Sequence, residues 1–161
     1  MIRRLALVLA VAALISASGC GKSQKDDESA VPNSASADEN GAGDSDQGKA
    51  MGLQTVHFPY DSFTLDAEGK GMLKSNAQIM KSHGSMKIQV EGHCDERGGI
   101  QYNIALGEKR ANSVKKFLED NGVAGDHVTT VSFGKEKPID PGHSEEAFSK
   151  NRRANFVITS K

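Results

Sequence analysis

The chain has 161 residues, with 20 Lys and Arg against 21 Asp and Glu and a formal net charge of −1. This balance, with no basic run and only 5 % aromatic residues, argues against a nucleic-acid partner. There are two cysteines, Cys20 and Cys94, so a disulfide framework is excluded.

Residues 1–19 read as a processing segment. Arg3 and Arg4 give a positive start, and the apolar run 5–15 is too short to span a bilayer. Small residues close it at Ala17-Ser18-Gly19-Cys20. This ending resembles a bacterial lipobox, although Ala17 stands where Leu is preferred. The resemblance implies cleavage ahead of Cys20 and acylation of its thiol and new amine. An ordinary secretory signal with an incidental Cys is the plainer alternative. Two or more acyl chains anchor stably, since each buried CH₂ contributes ~0.8 kcal/mol. Gly21 follows, not the Asp of the usual inner-membrane retention signal. The expected location is therefore the periplasmic face of a Gram-negative outer membrane.

Residues 20–50 change character. Gly, Ser, Ala, Asp, Asn and Gln dominate, three lysines oppose seven acidic residues, and Val31 is the only large apolar residue before Met51. Such a segment cannot bury enough apolar area to offset its ordering entropy. It reads as a disordered tether with an r.m.s. span of roughly 30 Å.

Residues 51–161 are expected to form one domain. Leu53, Val56 and Phe58 open a first strand, which Pro59 ends. A helix is expected over 66–82, with Leu73, Ala77 and Met80 on one face and Thr64 or Asp66 as cap. Alternation in 86–91 marks a second strand, and apolar spacing predicts a helix over 103–120 capped by Asn103. A strand near 127–133, a short helix near 143–151 and a strand over 153–160 complete the pattern. Parallel strands joined by helices imply an α/β sandwich with one covered face.

Between the second strand and the long helix lies a Gly-bracketed loop holding Asp95, and Arg110 follows fifteen residues later. This pair suits a ligand carrying both an ammonium and a carboxylate, because each charge finds its opposite. A structural ion pair across the loop is the plainer reading. Asn103 and Leu106 are expected in the first helical turn, where free N–H groups favour an anion. Asn103 also serves simply as a cap. Asp61 reads equally as an Asx turn after Pro59. Arg152 and Arg153 read equally as a solvated basic pair. The five histidines and Cys94 raise the question of a metal, but no H-x-x-x-H or C-x-x-C pair occurs, so no cofactor is expected. No G-x-S-x-G motif occurs either. A lipid-anchored cell-wall hydrolase or metalloenzyme is the alternative reading.

Five blocks in order resemble the OmpA-like peptidoglycan-binding domains: F-P-Y-D-S-F (58–63), E-G-H-C-D-E-R-G (91–98), Y-N-I-A-L-G-E-K-R-A-N-S-V (102–114), V-S-F-G-K-E-K-P (131–138) and N-R-R-A (151–154). Cys94 departs from the usual Ala or Thr. The resemblance implies a mixed four-stranded sheet with helices on one face. It implies a non-enzymatic tether whose Asp95 takes the ammonium, and Arg110 the carboxylate, of meso-diaminopimelate in the peptidoglycan stem peptide. Asp61, Asn103, Leu106 and Arg153 match further ligand positions. The lipoprotein members of the family imply a second partner, the periplasmic propeller protein TolB, docking over an overlapping surface in the Tol-Pal system of envelope integrity and cell division.

Overall fold

The computed structural model describes residues 43–161. The expected signal segment, Cys20 and most of the expected tether lie outside the described residues.

Four strands form one mixed sheet: β1 (Val56–His57), β2 (Lys87–His93), β3 (Val128–Gly134) and β4 (Arg153–Ser160), in spatial order β1-β4-β2-β3. β2 and β3 run parallel, and β4 is antiparallel to both β1 and β2. The helices are α1 (Ala67–Ser82), α2 (Ile100–Asp120) and α3 (Glu145–Asn151). The mixed sheet implied by the five blocks is therefore present.

Alternation along the strands fixes the two faces. Ile88, Val90, Val128, Ala154, Phe156 and Ile158 are buried with Leu73, Ala77 and Met80 of α1 and Ala111, Val114 and Leu118 of α2. Asp66 caps α1, its side chain accepting from the Gly69 N–H at 2.8 Å. β2 and α2 approach closely because both present glycine. A Cβ on Gly92 would lie 1.9 Å from the Gly107 carbonyl oxygen.

Helix α2 begins a turn ahead of the expected start, and its cap is Gly99, not Asn103. Gly98, at φ +88°, turns the chain so that Gly99 leads straight into the helix. Asn103 instead ties the loop down, its Nδ2 donating to the carbonyls of Arg97 (2.9 Å) and Gly99 (3.2 Å).

Folding also begins ahead of Met51, where composition places the start of the domain. The Ser45 N–H donates to the Phe156 carbonyl at 3.0 Å, and the Ile158 N–H donates to the Gly43 carbonyl at 2.9 Å. The Asp46 carboxylate pairs with Arg153 Nε at 2.7 Å, and Ala50 is buried. Residues 43–50 are polar, yet the buried Arg153 and Asn155 on β4 give them partners that composition cannot reveal.

Candidate functional site

At the C-terminal end of β2 the chain leaves the sheet through Cys94 and Asp95. The loop to α2, the 59–62 turn and Arg152 ahead of β4 meet there around a cavity of about 260 Å³. Asp61, Asp95, Asn103, Leu106 and Arg110, five of the six expected ligand residues, line it.

Arg110 projects from the middle of α2 and is 1 % exposed. Its Nε donates to the Ser62 carbonyl (2.8 Å), one terminal nitrogen to the His93 carbonyl (2.8 Å) and the other to the Pro59 carbonyl (3.2 Å). These bonds hold the 59–62 turn against β2 and orient the guanidinium. Burial pushes its pKa down, but a guanidinium remains charged. Among the described residues, no carboxylate is in ion-pair contact with it. A buried cation met by carbonyl dipoles and the Phe58 ring at 5.2 Å, but by no carboxylate among the described residues, is prepared for an anion.

Asp95 is 4 % exposed and faces the same cavity, but it does not bond Arg110. It accepts from the Arg97 backbone N–H (3.1 Å), from Arg97 Nε (3.3 Å) and Nη2 (2.6 Å), and from Arg152 Nη1 (3.2 Å). Burial pushes the carboxyl up, and the hydrogen bonds from Arg97 and Arg152 outweigh it, so the net shift is downward. Arg152 also reaches Glu145 (2.8 Å) and the Phe58 carbonyl (3.1 Å). Three guanidinium groups therefore line the cavity against the carboxylates of Asp61 and Asp95. The local charge favours a ligand with a carboxylate.

Asp61 sits in the left-handed region at φ +51° and accepts a hydrogen bond from the Tyr102 hydroxyl, joining the turn to the first turn of α2. Leu106 lies in the second turn of α2, so its N–H is not one of the free amides expected there. Arg153 is the expected residue that the site does not contain. It points to the other side of the sheet, where Asp46 pairs with it, because side chains alternate along β4. Its neighbour Arg152 takes the place in the cavity. Tyr60, Arg97 and Tyr102 complete the lining but were not singled out by spacing. Cys94 is buried, its Sγ–H donating to the Asn103 carbonyl at 3.4 Å, and burial pushes its thiol pKa up, which leaves it a poor nucleophile. Among the described residues, no three His, Cys, Asp or Glu side chains converge as a metal site.

Comparison with known proteins places this geometry. The OmpA family pattern matches residues 57–152. The peptidoglycan-associated lipoprotein of Pasteurella multocida (strain Pm70) is 40 % identical over 153 residues, 94 % of this chain and 97 % of that protein. The protein of the same name from Pseudomonas aeruginosa is 39 % identical over 156 residues, 94 % and 92 % of the two chains. The crystal structure of the peptidoglycan-associated lipoprotein from Burkholderia pseudomallei superposes with a TM-score of 0.63 at 41 % identity, covering 65 % of this chain and 89 % of that one. A family pattern over most of the folded region, relatives aligned nearly end to end and a superposing crystal structure agree: the chain belongs to the OmpA family.

Proposed function

We propose that the chain is an outer-membrane lipoprotein that grips peptidoglycan without covalent chemistry, through the diaminopimelate side chain of the stem peptide. The observation that carries this reading is Arg110, a buried guanidinium without a carboxylate partner, lining a cavity it shares with Asp95. Three of its five N–H donors are taken by carbonyls. The remaining two suit a ligand carboxylate, while Asp95 supplies the negative charge an adjacent ammonium needs. Asp61, Asn103 and Leu106 shape the cavity; Arg152 joins them and Arg153 does not.

The acylated Cys20 holds the membrane end. Exposed Tyr60, Phe63, Ile100 and Tyr102 lie on the segments that form the cavity, a surface suited to a TolB-type partner whose docking competes with wall binding. The reading is supported by the family membership and by relatives named for their association with peptidoglycan.

The test is sedimentation with purified sacculi. The parent chain co-sediments, Asp95→Ala and Arg110→Lys stay in the supernatant, and muropeptide masses are unchanged after incubation. Retention of both variants on sacculi overturns the assignment of the cavity. Unequal palmitate-analogue labelling of the parent and Cys20→Ala tests the anchor, and equal labelling rejects it.

A further inference from the structure

We propose that the Arg97 side chain is an internal competitor for Asp95, occupying the place of the ligand ammonium and leaving when the ligand arrives. The inference rests on the cavity being the ligand site. Asp95 offers two oxygens, and Arg97 engages both through Nε and Nη2. An incoming ammonium cannot reach that carboxylate on the same side without displacing it.

The three guanidinium groups of the cavity differ in how they are held. Arg110 is fixed by three backbone carbonyls, and Arg152 by Asp95, Glu145 and the Phe58 carbonyl. The Arg97 guanidinium bonds only side chains: Asp95, and Glu145 at 3.2 Å. Its side chain is 34 % exposed, against 9 % for Arg152. It lies over the Tyr60 ring at 4.0 Å and near the Phe148 ring at 4.6 Å. Glu145 is exposed and already in contact, so it offers Arg97 a second resting place outside the carboxylate. After release Asp95 keeps Arg152 and gains the ligand ammonium. The number of charges paired is conserved, and the exchange is nearly isoenergetic apart from ligand contacts. An internal competitor lowers apparent affinity by the fraction of time it leaves the site open. A cation without an adjacent carboxylate must displace Arg97 with no compensating contact at Arg110. The latch therefore rejects simple amines and admits zwitterions.

The experiment is calorimetry on the full chain with the tripeptide L-Ala-γ-D-Glu-meso-diaminopimelate and with its analogue lacking the side-chain ammonium. Arg97→Gln should tighten binding of the tripeptide roughly three- to tenfold and leave the analogue unchanged. Unchanged or weaker tripeptide binding overturns the latch alone, provided that Asp95→Ala and Arg110→Lys still abolish binding. Equal tightening for both ligands also overturns it, since the cavity has then merely widened. If Asp95→Ala and Arg110→Lys bind like the parent, the site assignment falls and the latch with it. A second readout needs no variant. The Arg97 Nε–H resonance of the parent chain is expected to be protected from water exchange and to lose that protection at ligand saturation. Protection that persists in the saturated complex overturns the proposal.

Discussion

Arg110 braces the fold and, under the proposed function, also meets the ligand, so mutation separates the two roles only with care. Its carbonyl contacts tie residues 59 and 62 to the end of β2, so loss of the guanidinium weakens the fold as well as the site. Arg110→Lys keeps the charge, but one ammonium cannot meet three carbonyls arranged for a planar fork. A stability loss of about 2–3 kcal/mol by urea denaturation is expected, since unpaired buried acceptors cost roughly 1–3 kcal/mol. Binding should fall further than stability, which calorimetry below the unfolding midpoint will separate. That Asp95 and Arg110 line one cavity was legible because one stands in a glycine-bracketed loop and the other on a helix that begins there. Their partners were not. The carbonyls that hold Arg110 carry no residue-type signature, and Arg97 and Arg152 meet Asp95 from segments 55 residues apart in the chain (97 and 152). Alternation along β4 sets Arg153 opposite Phe156 and Ile158, as the structure has it, but it does not tell which arginine reaches the cavity, and Arg152 is the one that does.

At the scale of elements, the site depends on how closely α2 lies against β2. Gly92 and Gly107 meet backbone to backbone, and a Cβ on Gly107 would also fall 2.3 Å from Ser132 Oγ, which donates to the Ile104 carbonyl at 2.7 Å. The strand end carrying Asp95 and the helix carrying Arg110 are set by this contact. Gly92→Ala forces the backbones apart and is expected to cost about 3 kcal/mol or more, above the usual range for overpacking because the obstacle is backbone. Thermal unfolding and sacculus binding should both fail in that variant, while Gly71→Ala, where nothing lies within 4 Å, is tolerated. Periodicity found every principal element because apolar residues recur at 3.6 along α1 and α2 and alternate along β2 and β4. The start of α2 was missed because Gly99 caps without a side chain, and Asn103, with the residue type of a cap, works as a loop brace.

At the scale of the described fold, the face of the sheet turned away from α1 and α2 mixes polar Gln89, Glu91, Arg153 and Asn155 with Val131, Phe133 and Val157, and residues 44–46 cover part of it. His93 lies there, 1 % exposed and stacked on Phe133, with both ring nitrogens unpartnered and Glu91 3.5 Å away. Burial is the largest influence on it and lowers its pKa below 6.5, against the opposing pull of Glu91. Between the lowered value and 6.5 the unfolded chain binds more protons, so stability rises with pH and levels off above about 6.5. His93→Phe should flatten that acid limb in urea midpoints compared at pH 5.5 and 7.5; an unchanged slope assigns the limb elsewhere. The same face holds residues 43–46, ahead of the expected domain start at Met51. Trypsin and glutamyl-endopeptidase cuts are expected ahead of residue 43, with 43–50 protected, and Asp46→Ala should expose that stretch. That boundary was hidden because polar residues reveal order only through partners, here Arg153 and Asn155. The strap also sets a direction. Gly43 pairs with Ile158 and Ser45 with Phe156, so Gly43 stands beside the far end of β4, while the cavity lies at its near end beside Arg152. Under the proposed function, a load between Gly43 and the cavity would run along β4, across hydrogen bonds that stand perpendicular to the strands. Under that pull they share the load in shear and yield together, where a tether leaving sideways would peel them one at a time.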